Sequence, residues 1–261
     1  MDVRGYTTGR IAAGGAFTSE IDVPPFATPG ILTTVVESDR PSFIRPGMMR
    51  KYLPLRHDPA TGAITAGGRY LFETYEQATA FRDQLEKLVV PGEGTTFWNR
   101  PWFINPIRFA WRVAGAHDLE PITSHDLNRV ERYAVTDASV ETRLPALFDA
   151  LLERAGKLEL GHVSLMSQPE HRLIGVLTAA AREGHRPPGA DVIRHSAEAL
   201  PLRGSVADAA LEKLGARKVF DRTSLNLTIW LPLSERAGGV PAIWPNSPPI
   251  PLPGVELPPS G

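Results

Sequence analysis

The sequence predicts an α+β fold in which two consecutive units, each running strand, helix, strand, strand, helix, strand, pack sheet against sheet within one chain. Three observations predict it. Residues 47–88 read as a strand, a turn, a returning strand and an amphipathic helix. Residues 127–231 carry the whole order, with a strand and a helix ahead of a second hairpin. A chain of 261 residues, 42% hydrophobic and 22% charged, can bury a core large enough for two such units.

Residues 1–29 are rich in Gly, Thr, Ala and Pro and read as an N-terminal arm, ordered or frayed. The first unit is placed at 30–116. Its first strand is expected in Ile31–Val36, where a β-branched run suits a pleated surface. Arg40–Gly47 follows, and Pro41 and Pro46 forbid a regular helix where the unit would carry its first one. Gly47–Arg56 and Ala66–Phe72 form the hairpin, joined through His57–Gly62. Thr74, with Gln77 three residues on, caps the helix that follows, and Tyr75, Ala78, Phe81, Leu85 and Leu88 share one face. Phe109–Val113 is the closing strand.

The second unit, 117–231, is the more complete copy. Leu127–Val135 reads as a strand, and Val140, Leu144, Leu147, Phe148, Leu151 and Leu152 fall at helical spacing. Leu160–Met166 and Leu173–Leu177 read as a hairpin across Ser167–Glu170. Ser205 caps a second helix with Val206, Ala209, Ala210 and Leu214 inward. In the last strand, Lys218 to Leu231, Leu225, Leu227, Ile229 and Leu231 alternate with Asn226, Thr228 and Trp230. This β-α-β-β-α-β order is the ferredoxin-like one. A lone unit leaves one sheet face bare, so two fused units are expected to form a pseudo-dimeric α+β barrel about a pseudo-twofold axis. Residues 182–203, with Pro187-Pro188-Gly189, read as an insertion able to cover a pocket. Residues 232–261 hold nine prolines and read as a tail that wraps the body, is disordered or offers a proline motif.

The Asp58-Pro59-x-Thr61-Gly62 turn, the Gly67-Gly68-x-Tyr70-Leu71-Phe72 run and the helix after Thr74 resemble the hairpin and second helix of the antibiotic-biosynthesis monooxygenase (ABM) family, over about a sixth of the chain. The resemblance implies a dimeric α+β barrel, a fold that hosts oxygenases, cyclases, isomerases and haem proteins. It also implies a site in the cleft between sheet and helices. The length and fused halves are similar to the ring-cleaving oxygenases of angucycline-type pathways.

Composition narrows the chemistry. A net charge of −1 offers no electrostatic footprint for nucleic acid, and the run Arg40, Arg45, Arg50, Lys51, Arg56 is expected to be mostly solvated. With no cysteine there is no disulfide, thiolate metal site or cysteine nucleophile. The N-terminus lacks an apolar signal region and no window reaches the ~20 apolar residues of a spanning helix, so a cytoplasmic protein with no membrane partner is expected. Phosphate loops, Gly-x-Ser-x-Gly and His-Glu-x-x-His are missing.

Candidate site residues fall in four places. Phe97–Asn105 gathers Trp98, Arg100 and Trp102 on an irregular segment, readable as a core plug or as the wall of a flat slot with Arg100 at its polar end. As a loop residue, Arg100 is expected to carry little core packing. His162 shares a strand face with Ser164 and Met166, opposite Val163 and Leu165, which aims it between the two sheets as a general base, a haem ligand or a satisfied interior residue. Asn226 and Trp230 lie on the polar face of the last strand, and Tyr70 is the first unit's candidate for the cleft. His117-Asp118 and His125-Asp126 read as caps before metal ligands. Catalytic roles go to His162, Arg100 and Tyr70, and substrate contacts to Trp98, Trp102, Asn226 and Trp230.

What the resemblance implies is an oxygenase of bacterial secondary metabolism acting on a polycyclic aromatic, polyketide-type molecule. No metal or cofactor is expected to be tightly bound. Electrons for O2 come from the substrate enolate or phenolate, or from reduced flavin as a co-substrate, with a flavin reductase as the implied partner and a homodimer left open. A cyclase or isomerase of the same substrates, and a non-catalytic binding protein, are the alternatives.

Overall fold

The computed structural model describes residues 8–27, 47–57, 64–90, 92–120, 126–180 and 204–230. Its strands are β1 (Gly9–Arg10), β2 (Gly15–Val23), β3 (Met48–His57), β4 (Ile64–Phe72), β5 (Ile104–Asp118), β6 (Leu127–Ala134), β7 (His162–Gln168), β8 (Leu173–Ala180) and β9 (Arg217–Trp230). Helices α1 (Tyr75–Lys87), α2 (Leu144–Lys157) and α3 (Asp208–Glu212) lie among them. Thr74 closes the start of α1 as its spacing required. Its Oγ1 accepts the Gln77 N–H at 3.2 Å and the Gln77 side chain accepts the Thr74 N–H at 3.0 Å. Ser205 Oγ likewise accepts the N–H groups of Ala207 and Asp208, at 3.0 and 3.1 Å.

The sheet runs β1-β5-β2-β4-β3-β9-β6-β8-β7, and β5 pairs β7 as well, so the sheet closes. Every pairing is antiparallel. Two identical strand orders stand side by side. β5-β2-β4-β3 and β9-β6-β8-β7 each read fourth, first, third, second, which is the ferredoxin-like order twice. The seams β3–β9 and β5–β7 each join the second strand of one half to the fourth of the other, as a pseudo-twofold axis requires. The fold is therefore an α+β barrel of the dimeric type, made within one chain.

One element departs from the sequence reading. Residues 15–23, assigned to an N-terminal arm, form β2, the inner strand between β4 and β5. The first strand thus precedes Ile31–Val36, which lies outside the described residues together with Arg40–Pro46, the 182–203 insertion and the 232–261 tail. The closing strand β5 also extends well beyond Phe109–Val113 at both ends.

Alternation along the strands sorts side chains into two layers. Phe17, Tyr70, Phe72, Phe81, Trp98, Phe148, Val163 and Leu165 join the core between sheet and helices. Ala16, Tyr52, Leu71, Trp111, Met166 and Leu177 fill the barrel itself. Burying each large side chain contributes about 1.5–3 kcal/mol. Among the described residues, no helix is long and apolar enough to cross a membrane.

Candidate functional site

Seven residues were singled out by sequence, and the structure sorts them into separate places. His162 lies inside the barrel, as the parity of β7 required, because Val163 and Leu165 turn to the helices. It is fully buried. Its Nδ1 is 2.7 Å from Asp118 Oδ1 and its Nε2 is 2.7 Å from Ser164 Oγ. Arg50 Nη2 donates to the other Asp118 oxygen at 2.9 Å. Burial pushes the Asp118 carboxyl up, yet the hydrogen bond and charge of His162, with the Arg50 guanidinium, hold it below the usual carboxylate range. Because an ionised carboxylate only accepts, the Nδ1 contact is an N–H donated to Asp118, and Nε2 shares the second hydrogen bond with the Ser164 hydroxyl. Both ring nitrogens are thus engaged, and none is left for a haem iron.

Tyr70 sits on the other side of the sheet, against α1. Its ring is 4.8 Å from Phe81, 5.7 Å from Phe17 and stacked 6.3 Å from Phe72, measured between centroids. Above it, 5.3 Å from the ring centre, is the Nζ of Lys51, a fully buried cation. Phe17 carries the contact onward, 6.5 Å from Trp98. Trp98 packs edge-on to Phe97 at 4.7 Å and lies 6.0 Å from Phe103. The loop that supplies these rings therefore closes the end of the layer between sheet and α1. Trp98 is 5% exposed, and its indole N–H has no hydrogen-bond partner among the described residues. Such donors are seldom left unmade in an interior.

Arg100 completes this loop from within. Its Nε donates to Glu93 Oε2 at 2.9 Å, and its guanidinium lies 5.0 Å from the Phe97 ring, 4.9 Å from Trp102 and 5.8 Å from Phe103. At 2% exposure it is a packed residue, so the expectation that it carries little core packing does not hold. Trp102 is half-buried and edge-on to Phe103 at 4.5 Å. Tyr70, Trp98, Arg100 and Trp102 are thereby linked through Phe17, Phe97 and Phe103 on one side of the sheet, while His162 stands apart on the other. Asn226 and Trp230 pair in the backbone with Pro54 and Lys51, and their side chains lie outside the described residues.

The strand cations are the clearest correction. Arg56 is exposed as expected, but Arg50 and Lys51 are buried. A bulge beside Arg50 breaks the alternation, so Arg50 enters the barrel and Lys51 enters the layer beneath α1. Asp118, read as a cap in a His-Asp dipeptide, is the buried anchor of Arg50 and His162. Its partner dipeptide is divided, with Asp126 buried and His125 outside the described residues. Among the described residues, no three His, Asp or Glu side chains gather as metal ligands would.

No protein-family model matches the chain, and no curated protein matches it. Among solved structures, the chain is similar to a provisionally named monooxygenase of Lactobacillus acidophilus, with 10% identity over 84% of this chain and 96% of that one and a TM-score of 0.48. An anthrone oxidase-like protein shares 9% identity over 84% and 93%, with a TM-score of 0.47. A ferredoxin-fold protein of Listeria monocytogenes, related to antibiotic biosynthesis monooxygenases, shares 9% over 82% and 95%, with a TM-score of 0.39. It is the strand order, not these distant likenesses, that defines the fold.

Proposed function

We propose that this chain is an oxygenase of a planar aromatic small molecule, of the polycyclic polyketide type, and that the substrate is held between the sheet and α1. The observation that carries the reading is the buried, unpartnered N–H of Trp98 beside the rings of Phe17, Phe97 and Phe103 in a largely apolar layer. A substrate carbonyl or phenolate oxygen would satisfy that donor, which costs about 1–3 kcal/mol when left unmade. Phe17, Tyr70 and Phe81 supply flat apolar surface, and Lys51 supplies a positive charge in a dry setting where it acts strongly on an enolate or phenolate. The resemblance of the hairpin and α1 to the ABM family, whose sites lie in this cleft, supplies the reaction class. We assign His162 to the internal network, since Asp118 and Ser164 occupy it.

The chemistry needs no resident cofactor. A phenol bearing an oxidisable ring methylene gives up four electrons as CH2 becomes C=O, while O2 places one oxygen in the product and the other in water. Reduced flavin, made by a separate reductase, is the alternative electron source. Oxygen uptake with a hydroxyanthrone, with and without reduced flavin, tests the reading. One O2 consumed per quinone formed without flavin is the expected result. Conversion without oxygen uptake would make the chain a cyclase or isomerase, and saturable binding without conversion would make it a binding protein.

A further inference from the structure

The polar residues inside the barrel include a second cluster that the proposed reaction does not use. Glu20 of β2 projects into the barrel and meets three guanidiniums from three other strands. Its Oε1 is 2.5 Å from Arg69 Nη2 and 3.3 Å from Arg132 Nη2, and its Oε2 is 3.3 Å from Arg222 Nη1. Arg69 Nη1 is spent on the backbone oxygens of Ser19, at 2.7 Å, and Gly68, at 3.1 Å. Three positive charges thus face one buried carboxylate, and among the described residues a further acid, Asp22, stands at the rim, 3.9 Å from Arg222. Holding two buried guanidiniums and a third at the rim against one buried carboxylate is costly unless another anion joins them.

Two donors remain over. The Nε atoms of Arg69 and Arg132 have no hydrogen-bond partner among the described residues, and the two side chains are 0% and 3% exposed. Burial pushes Arg132 down to about 10 in spite of Glu20, and Arg69 and Arg222 push in the same direction. Aromatic surface lines the same spot. The Arg132 guanidinium lies 4.1 Å from the Phe220 ring centre and 5.3 Å from that of Phe109, and Arg222 is 5.0 Å from Phe220. Both rings are only partly buried, and the Arg222 side chain is 21% exposed, so the cluster opens toward solvent at this end of the barrel.

We propose that Arg69, Arg132 and Arg222 bind a small aromatic carboxylate at this mouth of the barrel, a site distinct from the cleft under α1. A planar carboxylate matches the guanidinium fork, and its ring would lie along Phe109 and Phe220. The site stands whether or not the cleft is an oxygenase site, because it shares no residue with it.

Calorimetric titration of the full chain with benzoate, benzamide and inorganic phosphate tests the proposal. Benzoate is expected to bind one per chain and to raise the thermal midpoint, and neutral benzamide to bind at least tenfold more weakly. Arg222→Gln, at the most open position of the cluster, should weaken benzoate about 10- to 100-fold, the loss of one charged hydrogen bond, while Arg222→Lys falls between. Failure of benzoate to bind, equal binding of benzamide, or an unchanged affinity in a folded Arg222→Gln would each overturn the proposal. Phosphate binding more tightly than benzoate would overturn the aromatic carboxylate in favour of an inorganic oxyanion.

Discussion

Asp118 shows how one side chain can fix a buried network. It receives Arg50 on one oxygen and His162 on the other, and through His162 it orients Ser164. Asp118→Asn would leave the buried Arg50 guanidinium inside the barrel without its counter-charge, at a cost of about 3–5 kcal/mol. The pH dependence follows from the depressed carboxyl. Its contribution is fully present above the unfolded value of about 3.9 and is lost as pH falls through the lower folded value. Urea unfolding of both proteins should therefore show a gap that is full near pH 6 and shrinks steadily below about pH 4. A gap that stays constant into acid would mean that Asp118 holds the network without its charge. The place of His162 was legible, since Val163 and Leu165 announce the opposite face. Its partners were not, because Asp118 and Arg50 lie 44 and 112 residues away in the chain.

At the scale of elements, α1 was readable because it shows one period and one covered face, and the second-half strands because each is a β-rich run bounded by turn residues. β2 was hidden by the opposite circumstance. Thr18, Glu20 and Asp22 alternate with Phe17, Ile21 and Val23, but a polar strand face ordinarily means solvent, and here Thr18 and Glu20 are buried in the barrel. Thr18 meets Trp111 there, accepting its indole N–H at 2.9 Å. The same strand explains Gly67 of β4. A Cβ at Gly67 would come within 2.0 Å of the Ser19 carbonyl oxygen, a backbone atom that cannot step aside. Gly67→Ala should consequently push β2 and β4 apart and cost about 1–3 kcal/mol, read as a lowered urea midpoint. Little or no loss would show that β2 is not held so tightly against β4.

The whole molecule joins two halves by seams on either side of a barrel, and it covers both faces of its sheet. That explains why the expectation of solvation failed for Arg50 and Lys51. No face of these strands was solvent. The double cover also separates two environments, a polar network inside the barrel and an aromatic layer under α1, and the proposed reaction belongs to the second. Trp98→Phe tests that claim most directly, because it keeps an aromatic ring in the layer while removing the unpartnered N–H together with the indole's second ring. Measured together, oxygen-dependent turnover of a hydroxyanthrone should fall about 10- to 100-fold in kcat/KM, while the protein stays folded with a modestly lowered thermal midpoint, the lost packing being partly offset by removal of an unmet buried donor. Wild-type kcat/KM in a folded Trp98→Phe protein would contradict the account.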